Sequence, residues 1–162
     1  MNKDKSDLTS SISEIDMEHA LEVLNVNSIS PVLVTQKLLP NLKDNGGSTV
    51  VMVSSLMGSI SDCLSGKSYA YRASKTALNS ITKNMSIDLN AIFKTIVFAI
   101  DPGNVQSGMN PGGHIKSEVC ANLIIDLIST NVQSLNGKFI NYNIDINFDA
   151  KPIKERLRTP RR

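Results

Sequence analysis

Apolar residues in the first quarter of the chain recur with a helical period. They stand at Met17, Leu21, Leu24, Val34, Leu38 and Leu42. A spacing of about 3.6 residues predicts a helical stretch over positions 17–42. Pro31 interrupts this stretch because proline has no N–H to donate inside a helix. The glycines of KDNGG (43–47) mark its predicted end, and residues 1–16 predict an irregular lead-in.

Three short apolar runs predict buried strands. They are STVVMVSS (48–55), KTIVFAI (94–100) and GKFINYN (137–143). The glycine- and serine-rich stretch 56–68 predicts a loop after the first strand, and a second long loop follows the second strand at 101–114.

Two further helices alternate with these strands. One is predicted from Tyr69 to Asn90, with an apolar stripe of Ala70, Ala73, Ala77, Ile81, Met85 and Leu89. Ser117 is predicted to cap the other helix, which runs to Ser129. The order helix, strand, helix, strand, helix, strand is typical of an α/β fold with a parallel sheet.

Composition narrows the class of protein. A length of 162 residues suits one domain, and 41% hydrophobic with 20% charged residues indicates a folded soluble protein. Aromatic residues make up 4% and Trp is absent, which disfavours a stacking platform for single-stranded nucleic acid. The polar start MNKDKSDLTSS and the short apolar runs predict neither a secretion signal nor a membrane span, so we expect a cytoplasmic protein.

The cysteines and histidines show no metal-binding pattern. Cys63 and Cys120 lack the short spacing of a metal site and fit reduced thiols better than a disulfide framework. His19 and His114 are far apart in the sequence, so we expect no metal.

Charge is uneven along the chain. The last segment, KPIKERLRTPRR (151–162), carries five net positive charges, which leaves minus three for residues 1–150 of the total of +2. Such a segment could contact nucleic acid or an anionic membrane. A solvated, disordered tail over 144–162 is favoured, because the end has two prolines and few apolar side chains. We therefore expect neither nucleic acid nor a membrane as partner.

The segment SYAYRASKTAL (68–78) contains a candidate proton-transfer pair. Tyr71 and Lys75 stand one helical turn apart and share a face. A nearby ammonium favours the phenolate, so Lys75 is expected to lower the pKa of Tyr71. Tyr69 is no alternative, because Ala73 occupies the position four residues on. The spacing also arises by chance, so its meaning depends on the surrounding chain.

Polar residues converge on this pair. Ser54 and Ser55 close the first predicted strand, and the segment 101–103, Asp-Pro-Gly, closes the second. The helix that carries Tyr71 begins between these strands. Since ligands of open parallel sheets bind at the carboxyl ends of the strands, we expect all three groups to lie at one edge.

Four motifs, in order, resemble the short-chain dehydrogenase/reductase family, and most of all its small carbonyl-reductase branch, the C-factor and sniffer-like proteins. LNVNSISPVLVTQKLLPNL (24–42) resembles the helix that carries the family's catalytic Asn, and VVMVSSLMGS (50–59) the strand that ends in its catalytic Ser. YAYRASK (69–75) resembles its YxxxSK segment, and DPGNVQSGM (101–109) its PGxVxT loop. The resemblance covers about residues 17–143.

The fold that this resemblance implies is the C-terminal part of a doubly wound, Rossmann-type parallel sheet with flanking helices. The implied catalytic residues are Asn27, Ser55, Tyr71 and Lys75. In the family's chemistry Tyr71 exchanges the proton and Ser55 hydrogen-bonds the carbonyl oxygen. Lys75 holds the nicotinamide ribose and lowers the pKa of Tyr71, and Asn27 helps to fix a water. Because Pro31 cannot donate to the Asn27 carbonyl, that carbonyl could hold the water; a simple kink is the equally weighted alternative.

The resemblance also implies a cofactor and partners. The cofactor contacts fall on Tyr71, Lys75, Pro102, Gly103, Val105 and Ser107, where Ser107 stands in for the usual Thr. The expected cofactor is NADP or NAD, with NADP slightly favoured, and the expected substrate is a small carbonyl compound. Family members commonly dimerise through the two helices that carry the Asn and the Tyr, which leaves a homodimer open here.

The sequence departs from the family in one important respect. No GxxxGxG or GxGxxG pattern, which would cradle the cofactor pyrophosphate, occurs in the 162 residues. We therefore expect a chain truncated at its N-terminus relative to the family. Two interpretations stay open: an NAD(P)-dependent oxidoreductase of carbonyl or alcohol substrates, and an inactive remnant or isoform that associates with full-length relatives.

Overall fold

A computed structural model of the chain describes residues 11–43 and 47–141. The elements, in chain order, are α1 (Met17–Leu24), a π-helical turn (Asn25–Ile29), α2 (Ser30–Lys37), α3 (Leu39–Lys43), β1 (Thr49–Val53), α4 (Tyr69–Phe93), β2 (Ile96–Asp101), α5 (Ser117–Asn131) and β3 (Phe139–Asn141). Short 3-10 turns cover Ile12–Glu14, Leu56–Gly58 and Val132–Leu135. The predicted lead-in lies largely, and the predicted tail (144–162) entirely, outside the described residues, so the proposed boundaries stay predictions.

The sheet confirms the predicted fold class. Its strand order is β1-β2-β3, and both pairings are parallel. Thr49 lies opposite Ile96 in one ladder, and Ala99 lies opposite Phe139 in the other. The connections run through α4 and α5, as a parallel sheet requires. Among the described residues, β1 has a strand neighbour on one side only.

Strand β2 is the centre of the core. All six of its residues are buried, which explains why its sequence reads as a continuous apolar run. Phe98 and its alternate neighbours pack against Leu127 of α5 and Leu135. Val97 faces the other side of the sheet and packs with Leu89 of α4. The two helices therefore cover opposite faces of one strand.

The Asn136 side chain fastens the amino end of β2. Its Oδ1 accepts a hydrogen bond from the Val97 N–H at 2.9 Å, and its Nδ2 donates to the Ser86 carbonyl of α4 at 3.2 Å. The next residue, Gly137, donates its N–H to the Val97 carbonyl at 2.8 Å. Gly137 has a φ of +71°, and a Cβ atom there would stand 2.6 Å from the Ser86 hydroxyl, so both the backbone and the space require glycine.

The buried face of α4 differs from the predicted stripe. Its buried residues are Ala70, Ser74, Leu78, Thr82, Ser86 and Leu89, whereas the predicted Ala73 is exposed. Three of the buried residues carry hydroxyls that donate to carbonyls of their own helix: Ser74 to Tyr71, Thr82 to Leu78 and Ser86 to Lys83. Because the hydroxyls are satisfied locally, small polar residues can occupy a close-packed face.

The stretch predicted over 17–42 is helical but not continuous. The π-helical turn separates α1 from α2, and the Ser30 N–H bonds to the Asn25 carbonyl five residues earlier. Pro31 follows at the start of α2, where its missing N–H is tolerated. Of the periodic apolar positions only Leu42 is buried, while Met17 and Leu21 are 74% and 59% exposed. The period therefore predicted the helices correctly, although the described residues do not cover this apolar face.

Helix α5 begins one residue away from the predicted cap. Lys116 occupies the N-cap position and Ser117 is the first helical residue. The Ser117 hydroxyl instead donates to the Gln106 carbonyl at 2.8 Å, which ties the helix to the loop before it. The prediction of a serine cap was wrong, because Ser117 already lies inside the helix and Lys116 takes the N-cap position before it.

Candidate active site

The carboxyl ends of β1 and β2 bring the two predicted polar groups together. The Ser54 N–H donates to the Ile100 carbonyl at 2.7 Å, which extends the hydrogen bonding one residue beyond the end of β1. Ser55 follows immediately, and Asp101 ends β2. The convergence expected from the parallel order is therefore present in the structure.

The turn after Ser55 is pressed against helix α4. The Gly58 carbonyl accepts hydrogen bonds from the Thr76 hydroxyl at 3.1 Å and from the Asn79 amide at 3.2 Å. A Cβ atom on Gly58 would lie 2.8 Å from the carbonyl carbon of Lys75. Only glycine allows this approach, so Gly58 sets the position of Ser55 relative to the first turns of α4.

Ser55, Tyr71 and Lys75 form one group. The Ser55 hydroxyl lies close enough to the Tyr71 phenol to lower its pKa, and it accepts a hydrogen bond from the Met57 N–H at 3.2 Å. The Lys75 ammonium lies 5.7 Å from the centroid of the Tyr71 ring, within the range of a cation–π contact. Both the phenol and the ammonium belong to half-buried side chains at the edge of the sheet.

The pKa of Tyr71 is shifted in the direction opposite to the one expected. Burial of the phenol raises the pKa above its ordinary value, and this effect outweighs the Ser55 hydrogen bond, which lowers it. The Asp101 carboxylate raises the pKa further, because a negative charge disfavours a second one nearby. The prediction that Lys75 makes Tyr71 more acidic was therefore wrong for this structure: burial and Asp101 prevail.

Lys75 is held by the strand that precedes Ser55. Its Nζ donates a hydrogen bond to the Val53 carbonyl at 3.0 Å. Burial lowers the pKa of Lys75, because the charged form loses hydration. This bond fixes the long side chain beside the Tyr71 ring.

Asn27 meets the helix that carries Tyr71 through Ser74. It stands in the middle of the π-helical turn, and its Nδ2 donates to the Ser74 hydroxyl at 3.1 Å. Because the Ser74 hydroxyl also bonds the Tyr71 carbonyl, Asn27 is joined to the helical turn that carries Tyr71 and Lys75. The role of its backbone carbonyl in holding a water stays a prediction.

The loop after β2 contains the remaining predicted residues. Pro102 and Gly103 follow Asp101 directly, and Gly103 has a φ of +81° that suits glycine. Val105 pairs with Ile115 in an isolated parallel bridge, which closes the loop on itself. Ser107 is exposed in a turn, where its hydroxyl accepts from the Asn110 N–H at 3.2 Å. The structure thus places Pro102 and Gly103 at the sheet edge and Ser107 farther along the loop.

Known proteins share this arrangement. Residues 7–116 match the family model described as short chain dehydrogenase. This chain belongs to the short-chain dehydrogenase family.

Individual relatives support the same assignment. The chain is 30% identical over 143 residues to C-signal of Myxococcus xanthus, which covers 87% of this chain and 85% of that protein. It is 33% identical over 145 residues to the short-chain dehydrogenase srdF of Neurospora crassa, with 80% of this chain and 56% of that protein covered.

Solved structures of the family superpose well on this chain. The carbonyl reductase Sniffer of Drosophila melanogaster gives a TM-score of 0.77 at 28% identity, covering 83% of this chain and 59% of that one. An NADPH-bound carbonyl reductase from chicken fatty liver gives 0.70 at 28% identity, covering 82% and 58%. The chain therefore spans somewhat over half the length of these two carbonyl reductases.

The residues of this short-chain dehydrogenase fit the nicotinamide end of a dinucleotide. The Lys75 ammonium has three N–H groups, of which one is directed at Val53, so others can bind ribose hydroxyls next to Tyr71. The Ser54 hydroxyl is buried at the same edge and has no hydrogen-bond partner among the described residues. The sequence offers no glycine-rich loop for the pyrophosphate.

Two residues of the site carry roles that the sequence reasoning did not assign. Asp101 acts on the pKa of Tyr71, and its position before Pro-Gly at a strand end was the available signal. Gly58 was part of a quoted motif, but a close approach between two backbones leaves no mark in a single sequence.

The residues that the structure describes contain no group of three or more His, Cys, Asp or Glu side chains that could hold a metal ion. Within those same residues, no helix combines the length and the apolar character needed to span a bilayer.

Proposed function

We propose that this chain acts in an NAD(P)-dependent oxidoreductase that interconverts a carbonyl and an alcohol. The observation that carries the proposal is the grouping of Ser55, Tyr71 and Lys75 at the carboxyl ends of β1 and β2, with the Lys75 ammonium 5.7 Å from the centroid of the Tyr71 ring. A hydroxyl pair next to a fixed cation is suited to bind and protonate a carbonyl oxygen. The family relationship supports the same chemistry.

The residues divide the work between binding and proton transfer. The Ser55 hydroxyl can donate to the substrate oxygen and stabilise negative charge as it develops. Tyr71 is protonated at neutral pH, since its pKa lies above its ordinary value near 10. It can therefore donate its proton to the same oxygen during reduction. The nicotinamide, when bound, supplies or accepts the hydride.

The cofactor proposal is NADP or NAD, with NADP slightly favoured. Lys75 and Tyr71 would hold the nicotinamide ribose, and the backbone around Pro102, Gly103, Val105 and Ser107 would line the nicotinamide. Solved relatives with NADPH, NADP and NADH support a nicotinamide cofactor in general. Their choice between the two does not carry over to this chain.

The test is consumption of NADPH or NADH, followed at 340 nm, with 9,10-phenanthrenequinone and 2,3-butanedione as carbonyl probes. We expect Tyr71→Phe to remove at least about 99% of the rate, since general acid catalysis contributes about 10²–10⁴-fold. Tyr69→Phe is the matched control, because Tyr69 lies on the same helix and is exposed. A rate that survives Tyr71→Phe would contradict the proposal.

A second candidate is a non-catalytic role in association with a relative. The sequence feature that favours it is the lack of a glycine-rich pyrophosphate loop among the 162 residues. Thermal unfolding with millimolar NADPH or NADH separates the candidates, because a ligand that binds the folded state raises the melting temperature. A shift with either cofactor favours the enzyme; an unchanged melt favours the second candidate.

We also propose that the chain forms a homodimer through exposed apolar residues of its helices. The Asn-bearing stretch α1–α2 and the Tyr-bearing helix α4 both carry exposed apolar side chains, among them Leu21, Leu33 and Ile87, that a second copy could cover. A cytoplasmic location stays a prediction from the sequence.

A further inference from the structure

Ser74 joins the π-helical turn to the helix that carries Tyr71 and Lys75. Its hydroxyl accepts a hydrogen bond from the Asn27 Nδ2 at 3.1 Å and donates one to the Tyr71 carbonyl at 2.8 Å. A serine hydroxyl has one hydrogen to give and two lone pairs, so the two bonds use it in both directions. The Ser74 side chain therefore touches two of the four residues to which the family resemblance assigns catalysis.

A second bond runs alongside the first. The Ser28 hydroxyl donates to the Ser74 carbonyl at 2.8 Å, and both serines are completely buried. Breaking a buried hydrogen bond costs free energy, because the donor and acceptor left behind cannot hydrogen-bond to water instead. The π-helical turn is thus held to α4 by two adjacent side-chain bonds that meet at Ser74.

The same contacts define the role of the Asn27 side chain in holding the π-helical turn against α4. One N–H of its side-chain amide donates to the Ser74 hydroxyl, so the side chain docks the turn against α4. The location of the Asn27 backbone therefore depends on the bond to Ser74.

We propose that Ser74 is a positioning residue of this site, which fixes the Asn27 turn against the Tyr71–Lys75 face of α4 through its hydroxyl. Ser74 takes no part in proton or hydride transfer. Its importance for turnover rests on the oxidoreductase function proposed above.

Helix α4 supplies a matched control in Ser86. Ser86 is also buried, and its hydroxyl donates to the Lys83 carbonyl three residues earlier, just as Ser74 donates to Tyr71. It stands 12 residues farther along, about 18 Å down the helix axis from Ser74. Ser74→Ala and Ser86→Ala therefore remove the same local hydrogen bond, but only the first removes a partner of Asn27.

Hydrogen exchange, followed by mass spectrometry, tests the contact without any cofactor. We expect Ser74→Ala to speed exchange in the segment 25–32 by about fivefold or more, as loss of one buried hydrogen bond implies. Ser86→Ala should leave that segment unchanged. Ser74→Cys keeps the side-chain volume with a weak hydrogen-bonding group, so it should act like Ser74→Ala even if the smaller residue impairs folding. Unchanged exchange in both Ser74 variants would overturn the proposal.

Turnover of 9,10-phenanthrenequinone with NADPH tests the consequence. We expect Ser74→Cys to lower kcat about tenfold while KM for the quinone changes less than twofold. The losses from Ser74→Cys and Asn27→Ala should be less than additive in the double variant, because both changes remove the same Asn27–Ser74 bond. Wild-type activity with an unaffected Ser74 variant would overturn this proposal and leave the proposed function intact. An inactive wild type would contradict the proposed function, and hydrogen exchange alone would then decide on Ser74.

Discussion

The backbone of Gly58 lies directly against the backbone of Lys75, so that a Cβ atom on the glycine would stand 2.8 Å from the Lys75 carbonyl carbon. This contact joins the turn after Ser55 to the helix that presents Tyr71. The distance between the two candidate catalytic hydroxyls therefore depends on a position with no functional group of its own.

Replacing Gly58 with alanine should push the turn away from α4. We expect a loss of about 1–3 kcal/mol in the free energy of unfolding, the usual cost of overpacking. We also expect a fall in carbonyl-reducing activity at least as large as that of Ser55→Ala. Urea unfolding and the 340 nm assay measure the two effects. Gly112→Ala is the control, because nothing lies within 4 Å of a Cβ atom at that position.

The raised pKa of Tyr71 predicts how stability depends on pH. The folded state favours the neutral phenol, so the contribution is fully present below the unfolded pKa near 10 and is lost as the pH rises through the folded pKa. Tyr71→Phe should therefore lose less stability than the wild type as the pH rises above about 10. Urea unfolding across this range measures the difference. Parallel curves would contradict the prediction, and Tyr69→Phe controls for loss of an exposed hydroxyl.

Asp101→Asn should lower the pKa of Tyr71. The Asp101 carboxylate raises that pKa by charge repulsion, and an amide removes the charge while keeping the shape. Phenolate absorbance near 295 nm can follow the titration, because the chain has three tyrosines and no tryptophan. The Tyr71 signal is the difference between each protein and its Tyr71→Phe version. Asp88→Asn, an exposed change on α4, should leave the titration in place.

Phe98→Ala should be among the most destabilising changes in the sheet. Phe98 is 0% exposed and packs between β2 and α5, so truncation removes buried apolar surface and leaves a cavity. We expect a loss of about 3–5 kcal/mol in the free energy of unfolding by urea. Ile92→Ala, at a position that is 68% exposed, should change it by less than about 0.5 kcal/mol.

A charge on the exposed face of α2 should disrupt the proposed homodimer. Leu33 is 52% exposed, and Leu33→Glu would place a carboxylate inside the helix–helix contact. Sedimentation velocity should show a shift from dimer to monomer. Ile125→Glu, a similarly exposed change on α5, should not shift it. A wild-type monomer would rule out the dimer.

The sequence predicts the fold well where one physical rule dominates. Strand β2 is buried on both faces, so its apolar run is unambiguous. The buried face of α4 is hidden, because Ser74, Thr82 and Ser86 satisfy their hydroxyls within the helix and can be buried as if apolar. No period of apolar residues reveals such a face.

Some features of the candidate site can likewise be predicted from the sequence, whereas others cannot. The Tyr71–Lys75 spacing follows from helix geometry and is visible in the sequence. The direction of the Tyr71 pKa shift is not, because it depends on how deeply the ring is buried and on a carboxylate 30 residues away. The Asn27–Ser74 contact likewise joins residues 47 positions apart.

The hydrogen bonds of the Asn136 side chain affect where along β2 this protein tolerates substitutions. The Asn136 side-chain amide bonds backbone groups of Val97 and Ser86. At the amino end of β2 it thus takes the place of the backbone of a neighbouring strand. The opposite end of the same strand finishes at Asp101, beside Ser55 and Tyr71. The anchored end and the candidate site thus occupy opposite ends of one β-strand, so we expect substitutions around the site to leave the anchored end of the sheet in place.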